Sequence, residues 1–144
     1  MEFSIALGFS YRDIKECDKG KRVLNAVIKI TEKRKDSTSM KHNTRAIGTK
    51  GLILFEEQKY KEAIDWFSIA LKQAEQIEYL EYIGLMNRHL GYCYRSLGEI
   101  KKADKHFTNA AGVFKIMGKE QHFQQMEFVR NITRKLGEEN LEEE

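Results

Sequence analysis

The sequence predicts an all-α fold built from paired helices, and three observations support this prediction. The 144 residues include no proline, the residue that most strongly interrupts a helix. Apolar residues recur at steps of three and four through most of the chain, as they do along one face of a helix. The chain also repeats itself at a spacing of about forty residues, which is typical of arrays of helical hairpins.

The length and the cysteines bound the class of protein. A chain of 144 residues is long enough for one domain with its own core. Cys17 and Cys93 lie far apart, and neither has a CxxC or Cys/His spacing around it. We therefore expect reduced thiols in a cytoplasmic protein, with no disulfide framework and no zinc site. No run of about 18 apolar residues occurs, so no membrane-spanning segment is predicted.

The charges are unevenly distributed along the chain. The formal net charge is +3, but five of the 22 acidic side chains fall in the last seven residues, where there is no Lys or Arg. The rest of the chain is therefore strongly basic, which suits either an acidic peptide or a solvated helix surface. Nucleic acid is not the expected partner, because no cluster of aromatic residues lies beside a basic run.

The repeat is clearest between residues 50–70 and 90–110. At a shift of forty residues the small and aromatic positions coincide: Gly51 with Gly91, Ala63 with Ala103, Phe67 with Phe107, and Ala70 with Ala110. A third and weaker copy begins at Leu7, Gly8 and Tyr11 and continues through Gly20, Leu24 and Val27. Three copies of one unit therefore make up most of the chain.

Each copy reads as two helices. The predicted helices are 2–14, 18–34, 40–56, 60–77, 79–97, 100–117 and 120–136, with the segment "RKDSTS" as the clearest loop. In the last copy Leu90, Gly91 and Tyr94 share one face, and after Gly98 a second face contains Ala103 and Phe107. Glycine in a helix interior costs about 1 kcal/mol relative to alanine. We expect closer packing of the paired helices to offset that cost.

The seventh predicted helix and the residues after it differ from the repeats. Six apolar residues are expected to form one broad stripe on this helix: Phe123, Met126, Phe128, Val129, Ile132 and Leu136. Such a helix can close the last apolar face of an open array, so it is predicted to be a cap. The repeat domain is assigned to residues 1–137, and the acidic segment 138–144 is predicted to be a disordered tail.

At these residues the chain resembles the tetratricopeptide repeat (TPR) family. The family pattern is W-x2-L-G-x2-Y, then A-x3-F, then P. The segments "NRHLGYCY" and "ADKHF" fit it except at Asn87, where the family has tryptophan, and "AIDWF" fits A-x3-F. Lys50 replaces the pattern's leucine in the middle copy, and the closing proline is missing throughout. The resemblance implies a right-handed solenoid of three helical hairpins plus a C-terminal capping helix.

No catalytic or metal-binding signature is present. The four histidines are isolated from one another, and no HExxH, GxGxxG or GxxxxGK motif occurs. We therefore predict no enzymatic activity, no metal and no cofactor.

The resemblance places a peptide or a partner helix against the first helices of successive repeats. Carried over by position, the inner face contains Phe9, Arg12, Arg45, Thr49, Leu52, Arg88, His89, Tyr92 and Arg95. Guanidinium groups suit carboxylates and tyrosine supplies rigid contact area, so an acidic peptide or protein segment is expected. For any single arginine of this set, the simpler alternative is that its charge only keeps an exposed helix soluble.

Two further readings of function remain open. Long-helix arrays of this composition resemble the peptide-sensing quorum regulators of Gram-positive bacteria, so the chain can be the sensor portion of a transcriptional regulator. Alternatively, apolar end faces can pair and make the chain a self-associating scaffold.

Overall fold

The computed structural model describes residues 17–32, 34 and 36–143, with side chains from residue 20 to residue 139 within those ranges. The predicted helix over 2–14 lies outside the described residues. The described part contains helices and no strand. The six helices are α1 (Cys17–Thr31), α2 (Ser37–Glu56), α3 (Tyr60–Gln76), α4 (Leu80–Ser96), α5 (Ile100–Ile116) and α6 (Glu120–Glu143).

The helix boundaries follow the sequence prediction closely except at the start of α2 and at the end of α6. This helix begins at Ser37, inside the segment predicted as a loop. The cause is Asp36, whose Oδ2 accepts a hydrogen bond of 3.0 Å from the Ser39 N–H and so caps the helix. The same hydrogen bond lowers the pKa of the Asp36 carboxyl.

The last helix is longer than predicted. The structure continues α6 to Glu143, where the sequence predicts a helix that ends at 136 and a disordered tail from 138. Glutamate and leucine are good helix formers, and no proline interrupts the segment. The helix also still lies against α5 near its end, because a Cβ on Gly137 would come within 3.0 Å of Ile100 Cγ2.

Four similar turns separate the helices from α2 to α6. In each turn, the last residue before the next helix donates its backbone N–H to the carbonyl oxygen five residues back. Lys59 donates to Leu54 in this way and Glu99 to Tyr94, both at 2.9 Å. The residue before the donor adopts a positive φ: Gln58 62°, Glu78 55°, Gly98 80° and Gly118 73°. This is the left-handed conformation that ends many helices. The positive-φ residues therefore recur every twenty residues, half of the sequence repeat.

The glycines of the repeat lie where the paired helices approach most closely. A Cβ built on Gly91 would lie 2.4 Å from Cε1 of Phe107, and one on Gly51 would lie 2.7 Å from Cδ1 of Phe67. Real Cβ atoms do not come that close to another heavy atom, so each glycine is needed to admit the phenylalanine ring. Both rings are fully buried.

The chain divides into two compact units, Met1–Tyr79 and Leu80–Glu144. In the first unit α1 packs on α2 around a core that includes Leu24, Val27, Ala46 and Ile53. Asn43 of α2 adds hydrogen bonds from its Nδ2 to the Ile28 carbonyl oxygen and to Thr31 Oγ1.

In the second unit α5 lies between α4 and α6 and packs on both. Its core consists of Ala103, Phe107, Ala110, Ala111, Phe114 and Met126, and Tyr92, Tyr94, Phe123 and Val129 pack against it. Two arginines of α6, Arg130 and Arg134, approach Asp104 of α5 at 3.6 and 3.1 Å. The last helix therefore covers α5, as a capping helix does.

The apolar stripe of α6 is narrower than predicted. Met126 is buried, and Phe123 and Val129 pack on the core, but Phe128 is 65 % exposed and Ile132 and Leu136 are each 40 % exposed. Thr133, which the predicted stripe omits, is fully buried. The broad apolar stripe predicted from the sequence is therefore only partly covered by α5. Residues 126 and 133 face α5, whereas residues 128, 132 and 136 lie on a different side of the helix.

Candidate functional site

The predicted site residues fall on different parts of the structure. Phe9 and Arg12 lie outside the described residues. Arg45, Thr49 and Leu52 are on α2 in the first unit. Arg88, His89, Tyr92 and Arg95 are on α4 in the second unit, and we refer to these four residues as the α4 stripe.

The predicted residues on α2 are mostly inside the protein. Thr49 is 1 % exposed, and its hydroxyl donates a hydrogen bond of 2.7 Å to the Arg45 carbonyl oxygen. Leu52 is 7 % exposed, whereas the Arg45 side chain is half-buried. Thr49 and Leu52 thus serve the packing of α2, and in this conformation they offer a ligand almost no surface.

The α4 stripe is different, because all four side chains are half-buried and reach the surface. Positions 88, 92 and 95 are separated by four and three residues, so they line one side of the helix over two turns. The second unit therefore presents two guanidinium groups, an imidazole and a phenol on a single continuous strip.

Aromatic contacts hold the middle of the α4 stripe in place. The Tyr92 ring packs edge-on against Phe107, with centroids 5.3 Å apart, and against His89 at 6.1 Å. The Arg95 guanidinium carbon lies 5.3 Å from the Tyr92 centroid and 5.9 Å from that of Phe107. His89 Nδ1 lies 2.9 Å from the Leu85 carbonyl oxygen, which can only accept, so this nitrogen is the donor. Tyr92 and Arg95 are therefore pre-positioned on a buried ring.

The arginines of the stripe keep their charge available. Among the described residues no carboxylate lies within ion-pair distance of Arg88 or Arg95. The cation–π contact of Arg95 leaves the edge of its guanidinium free to bind an oxygen anion, and such contacts are worth about 0.5–1 kcal/mol at exposed sites. The arrangement can accept a carboxylate from outside the second unit without first breaking an internal ion pair.

A second polar cluster joins α4 to α5, and the sequence reasoning missed it. His106 Nδ1 lies 2.9 Å from Asn87 Oδ1, and Asn87 Nδ2 donates to the Ile83 carbonyl oxygen at 3.0 Å. The imidazole stacks on the Tyr94 ring with centroids 5.4 Å apart and an interplanar angle of 9°. Burial lowers the pKa of His106, and the nearby charge of Lys105 lowers it further.

A sequence signal for this cluster did exist. Asn87 occupies the position of the family's tryptophan, and a polar residue there requires a partner once the two helices pair. His106 lies next to Phe107, the residue that meets Gly91 of α4. The helical pairing therefore brings His106 to the level of Asn87, although the histidine is isolated in the sequence.

Two other side chains, one in each unit, have shifted pKa values. Lys50 Nζ is 4.0 Å from the Trp66 ring centroid and 2.7 Å from Asn25 Oδ1. Burial lowers the pKa of Lys50, and the charge of Lys21 lowers it further. Burial also raises the pKa of the Cys93 thiol to about 12, so this cysteine is an unreactive packing residue.

The first unit contains a cavity of about 350 Å³ away from the predicted site residues. It lies between the ends of α1 and α3 and the start of α2, and its lining includes Thr31, Asn43, Thr44 and Gln73. These polar groups already pair with one another, Asn43 with Thr31 and Thr44 with Gln73, at 3.0 Å each.

The described residues contain neither a candidate metal site nor a candidate membrane-spanning helix. In that part of the chain, no three His, Cys, Asp or Glu side chains are grouped so that they could hold a metal ion. None of its helices combines the length and the apolar character needed to cross a membrane.

Comparison with known proteins shows the fold. The chain matches no protein-family model and no curated protein sequence. Among solved structures it is similar to RapI in its apo form, with a TM-score of 0.86, 20 % identity and 96 % of this chain covered. It is also similar to aspartyl phosphate phosphatase F from Bacillus subtilis, with a TM-score of 0.85, 20 % identity and 96 % of this chain covered.

These likenesses confirm the predicted all-α, TPR-like fold. The chain spans 38 % of the length of RapI and 36 % of the length of the phosphatase. At this level of identity the comparison defines an architecture of helical repeats.

Proposed function

We propose that this chain is a protein-interaction module whose α4 stripe binds a peptide or a segment of a protein partner with acidic character. The observation on which this rests is the pair Arg88 and Arg95, which flank a ring-supported Tyr92 on one side of α4. Two arginines without internal carboxylate partners are suited to carboxylates of a ligand, and tyrosine adds contact area at low cost in conformational entropy.

Comparison of the repeats supports a role outside folding. The residues forty positions earlier, Gly48, Leu52 and Phe55, are not basic. The hairpin α2–α3 therefore forms without arginines at these three positions of its first helix. Solubility alone explains a single surface arginine, but it does not explain why both arginines lie beside a tyrosine fixed on the core.

The proposal is tested first with an unbiased peptide array, followed by measurement of the affinity of the strongest peptide by fluorescence anisotropy. We expect acidic peptides to bind best and binding to weaken as salt rises, because exposed charge pairs are screened. If neutral or basic peptides bind best, the assignment of the α4 stripe is wrong.

A charge-reversal variant then locates the contact. The double change Arg88→Glu and Arg95→Glu should weaken binding by about tenfold or more, since each charge-assisted hydrogen bond contributes about 1.5–3 kcal/mol. The matched control is Lys101→Glu with Lys105→Glu, which changes the net charge equally on exposed positions of α5. Both variants should melt close to the parent protein, and only the arginine variant should lose affinity.

The sensor reading is a second proposal, and the fold favours it. The two solved structures compared above are longer proteins, and one is named a phosphatase of aspartyl phosphate. Isolating the gene and its full product tests whether the repeats belong to a larger regulator. A DNA-binding domain in the same product would support the sensor reading, whereas a product that begins at Met1 would favour the adaptor.

The predicted absence of enzymatic activity is also part of the proposal. Acetyl phosphate is a simple acyl phosphate with which hydrolysis can be measured directly. We expect the purified chain to release phosphate no faster than buffer does. If phosphate release rises with protein concentration and is lost in a side-chain variant, the chain is an enzyme and this part of the proposal is wrong.

A further inference from the structure

An exposed apolar stripe follows α6 on the side that does not pack on α5. Phe128 is 65 % exposed and Ile132 and Leu136 are each 40 % exposed. They are spaced by four residues, so they lie about 6 Å apart along the helix and cover about 12 Å in total. We refer to these three residues as the α6 stripe. Exposed apolar side chains that form a row, rather than single ones, indicate a contact surface.

The forty-residue repeat relates the α6 stripe to the α4 stripe. Subtracting forty from 128 and 132 gives Arg88 and Tyr92, and subtracting forty from 135 gives Arg95. Phe128 and Ile132 therefore occupy the positions in α6 that Arg88 and Tyr92 occupy in α4, whereas Leu136 corresponds to Ser96. Lys135, the counterpart of Arg95, is exposed at the edge of the α6 stripe.

The repeat places the two stripes on corresponding sides of two helices that both pack on α5. Tight turns make α4 antiparallel to α5 and α5 antiparallel to α6, so α4 and α6 run in the same direction. Tyr92 of α4 and Val129 of α6 both pack on the core cluster around Phe107.

We infer that the α6 stripe is the apolar half of the binding surface, and that the ligand is an amphipathic helix with one apolar row and a flanking row of carboxylates. This inference rests on the proposed function of the α4 stripe. Arg88 and Arg95 span about 10 Å along their helix, close to the 12 Å of the α6 stripe. Both rows therefore match two turns of a ligand helix, which is the geometry of a helix bound in a groove.

The charges favour such a ligand over a second copy of this chain. Pairing two copies through this side would bring Arg88, Arg95 and Lys135 of one copy near the same basic residues of the other. Like charges placed opposite each other suppress association. A carboxylate-bearing helix instead supplies the opposite charge to all three.

The test uses a synthetic helix as the probe. A fluorescein-labelled peptide of about 18 residues, roughly 27 Å when helical, carries leucines four residues apart with glutamates beside them. One control peptide has serines in place of the leucines, and a second has lysines in place of the glutamates. The parent protein should bind the first peptide at least about tenfold more tightly than either control.

Variants of the protein separate the two halves of the surface. Phe128→Ser with Ile132→Ser should weaken binding of the leucine peptide by about tenfold or more. The matched control is Ile116→Ser, which removes an apolar side chain that is 77 % exposed at the end of α5 and should leave affinity unchanged. Circular dichroism and thermal melting verify that the variants fold. Phe128→Gln serves as a second variant, because glutamine is a better helix former than serine.

The outcomes distinguish the inference from the proposed function. If the serine variant binds like the parent protein while Arg88→Glu with Arg95→Glu loses affinity, the α6 stripe is not part of the site and the function still stands. If neither variant changes the affinity, both proposals fail. If sedimentation shows a dimer of the parent protein and a monomer of the serine variant, the occupant is a second copy and the inference is overturned.

Discussion

The hairpins α2–α3 and α4–α5 are two versions of one design, and they differ where function is proposed. Their cores agree: a glycine meets a buried phenylalanine at 51 and 67 and again at 91 and 107. The α4 stripe has no counterpart in α2–α3, because Thr49 and Leu52 are buried at the positions where His89 and Tyr92 reach the surface. The repeated positions define the fold, whereas the positions that differ are free to serve a ligand.

Polar groups between the paired helices also distinguish the two hairpins. In α2–α3, Lys50 lies over the Trp66 ring. In α4–α5 the corresponding residues are Leu90 and His106, and the histidine pairs instead with Asn87. One hairpin thus encloses a partly buried amine, and the other encloses an imidazole whose pKa is lowered by burial.

The largest expected effect comes from removing α6. Deleting residues 120–144 removes Met126 from the second core and uncovers Phe114 and Ala111 of α5. Newly exposed apolar area of this kind promotes self-association. Sedimentation and thermal melting should show oligomers and a lower melting temperature. A truncated chain that stays monomeric and equally stable would mean that α6 is not a cap.

Alanine substitution at the repeat glycines tests the shared design. Gly91→Ala should destabilise the second unit by about 1–3 kcal/mol, because its Cβ would lie 2.4 Å from the Phe107 ring. Gly51→Ala should cost less, since the contact there is 2.7 Å.

Gly112 is the control for these substitutions. It lies in α5 with open space around its Cβ, so Gly112→Ala should stabilise the helix by up to about 1 kcal/mol. Denaturant unfolding measures all three variants. A stabilising effect at Gly91 would show that the close approach to Phe107 is easily relieved.

The turns offer a smaller effect of opposite sign in the two hairpins. Gln58 and Gly98 end α2 and α4 with φ of 62° and 80°. Gln58→Gly should stabilise the chain by about 0.5–1 kcal/mol, and Gly98→Ala should destabilise it by about 1 kcal/mol, because only glycine adopts positive φ without steric cost. Melting temperatures that move in the same direction for both variants would contradict this account of the turns.

The smallest expected effect is a pH dependence confined to the second hairpin. The pKa of His106 is lowered in the folded state, so the unfolded chain binds more protons in the window below its ordinary pKa. Stability should therefore be complete above about pH 6.5 and fall as the pH drops below it.

His106→Gln keeps a hydrogen-bond donor for Asn87 but cannot titrate. Urea unfolding of both proteins between about pH 7.5 and pH 5.5 should show a smaller loss of stability for the variant. If parent and variant lose the same stability, other groups cause the pH dependence.

The sequence predicts the helices well because the forty-residue repeat fixes both their register and their turns. It also predicts that Gly51 and Gly91 lie where the paired helices pack closely, and the structure shows that each glycine there admits a phenylalanine ring. It misses the buried Thr133 and the exposed Phe128 and Ile132, because apolar character alone does not determine which side of α6 meets α5. The comparison with the family's inner-face positions predicts Thr49 and Leu52 at the surface. They are buried instead, because burial depends on the particular residues packed around them.

The central claim is that the α4 stripe, and not another basic surface, contacts the ligand. Nuclear magnetic resonance of the labelled protein, titrated with the strongest peptide from the array, tests this claim most directly. We predict that the largest shifts occur at Tyr92, at the side-chain N–H groups of Arg88 and Arg95, and at their neighbours on α4. Shifts concentrated on the exposed lysines of α5, Lys101 and Lys105, or on α1 to α3, would contradict the account.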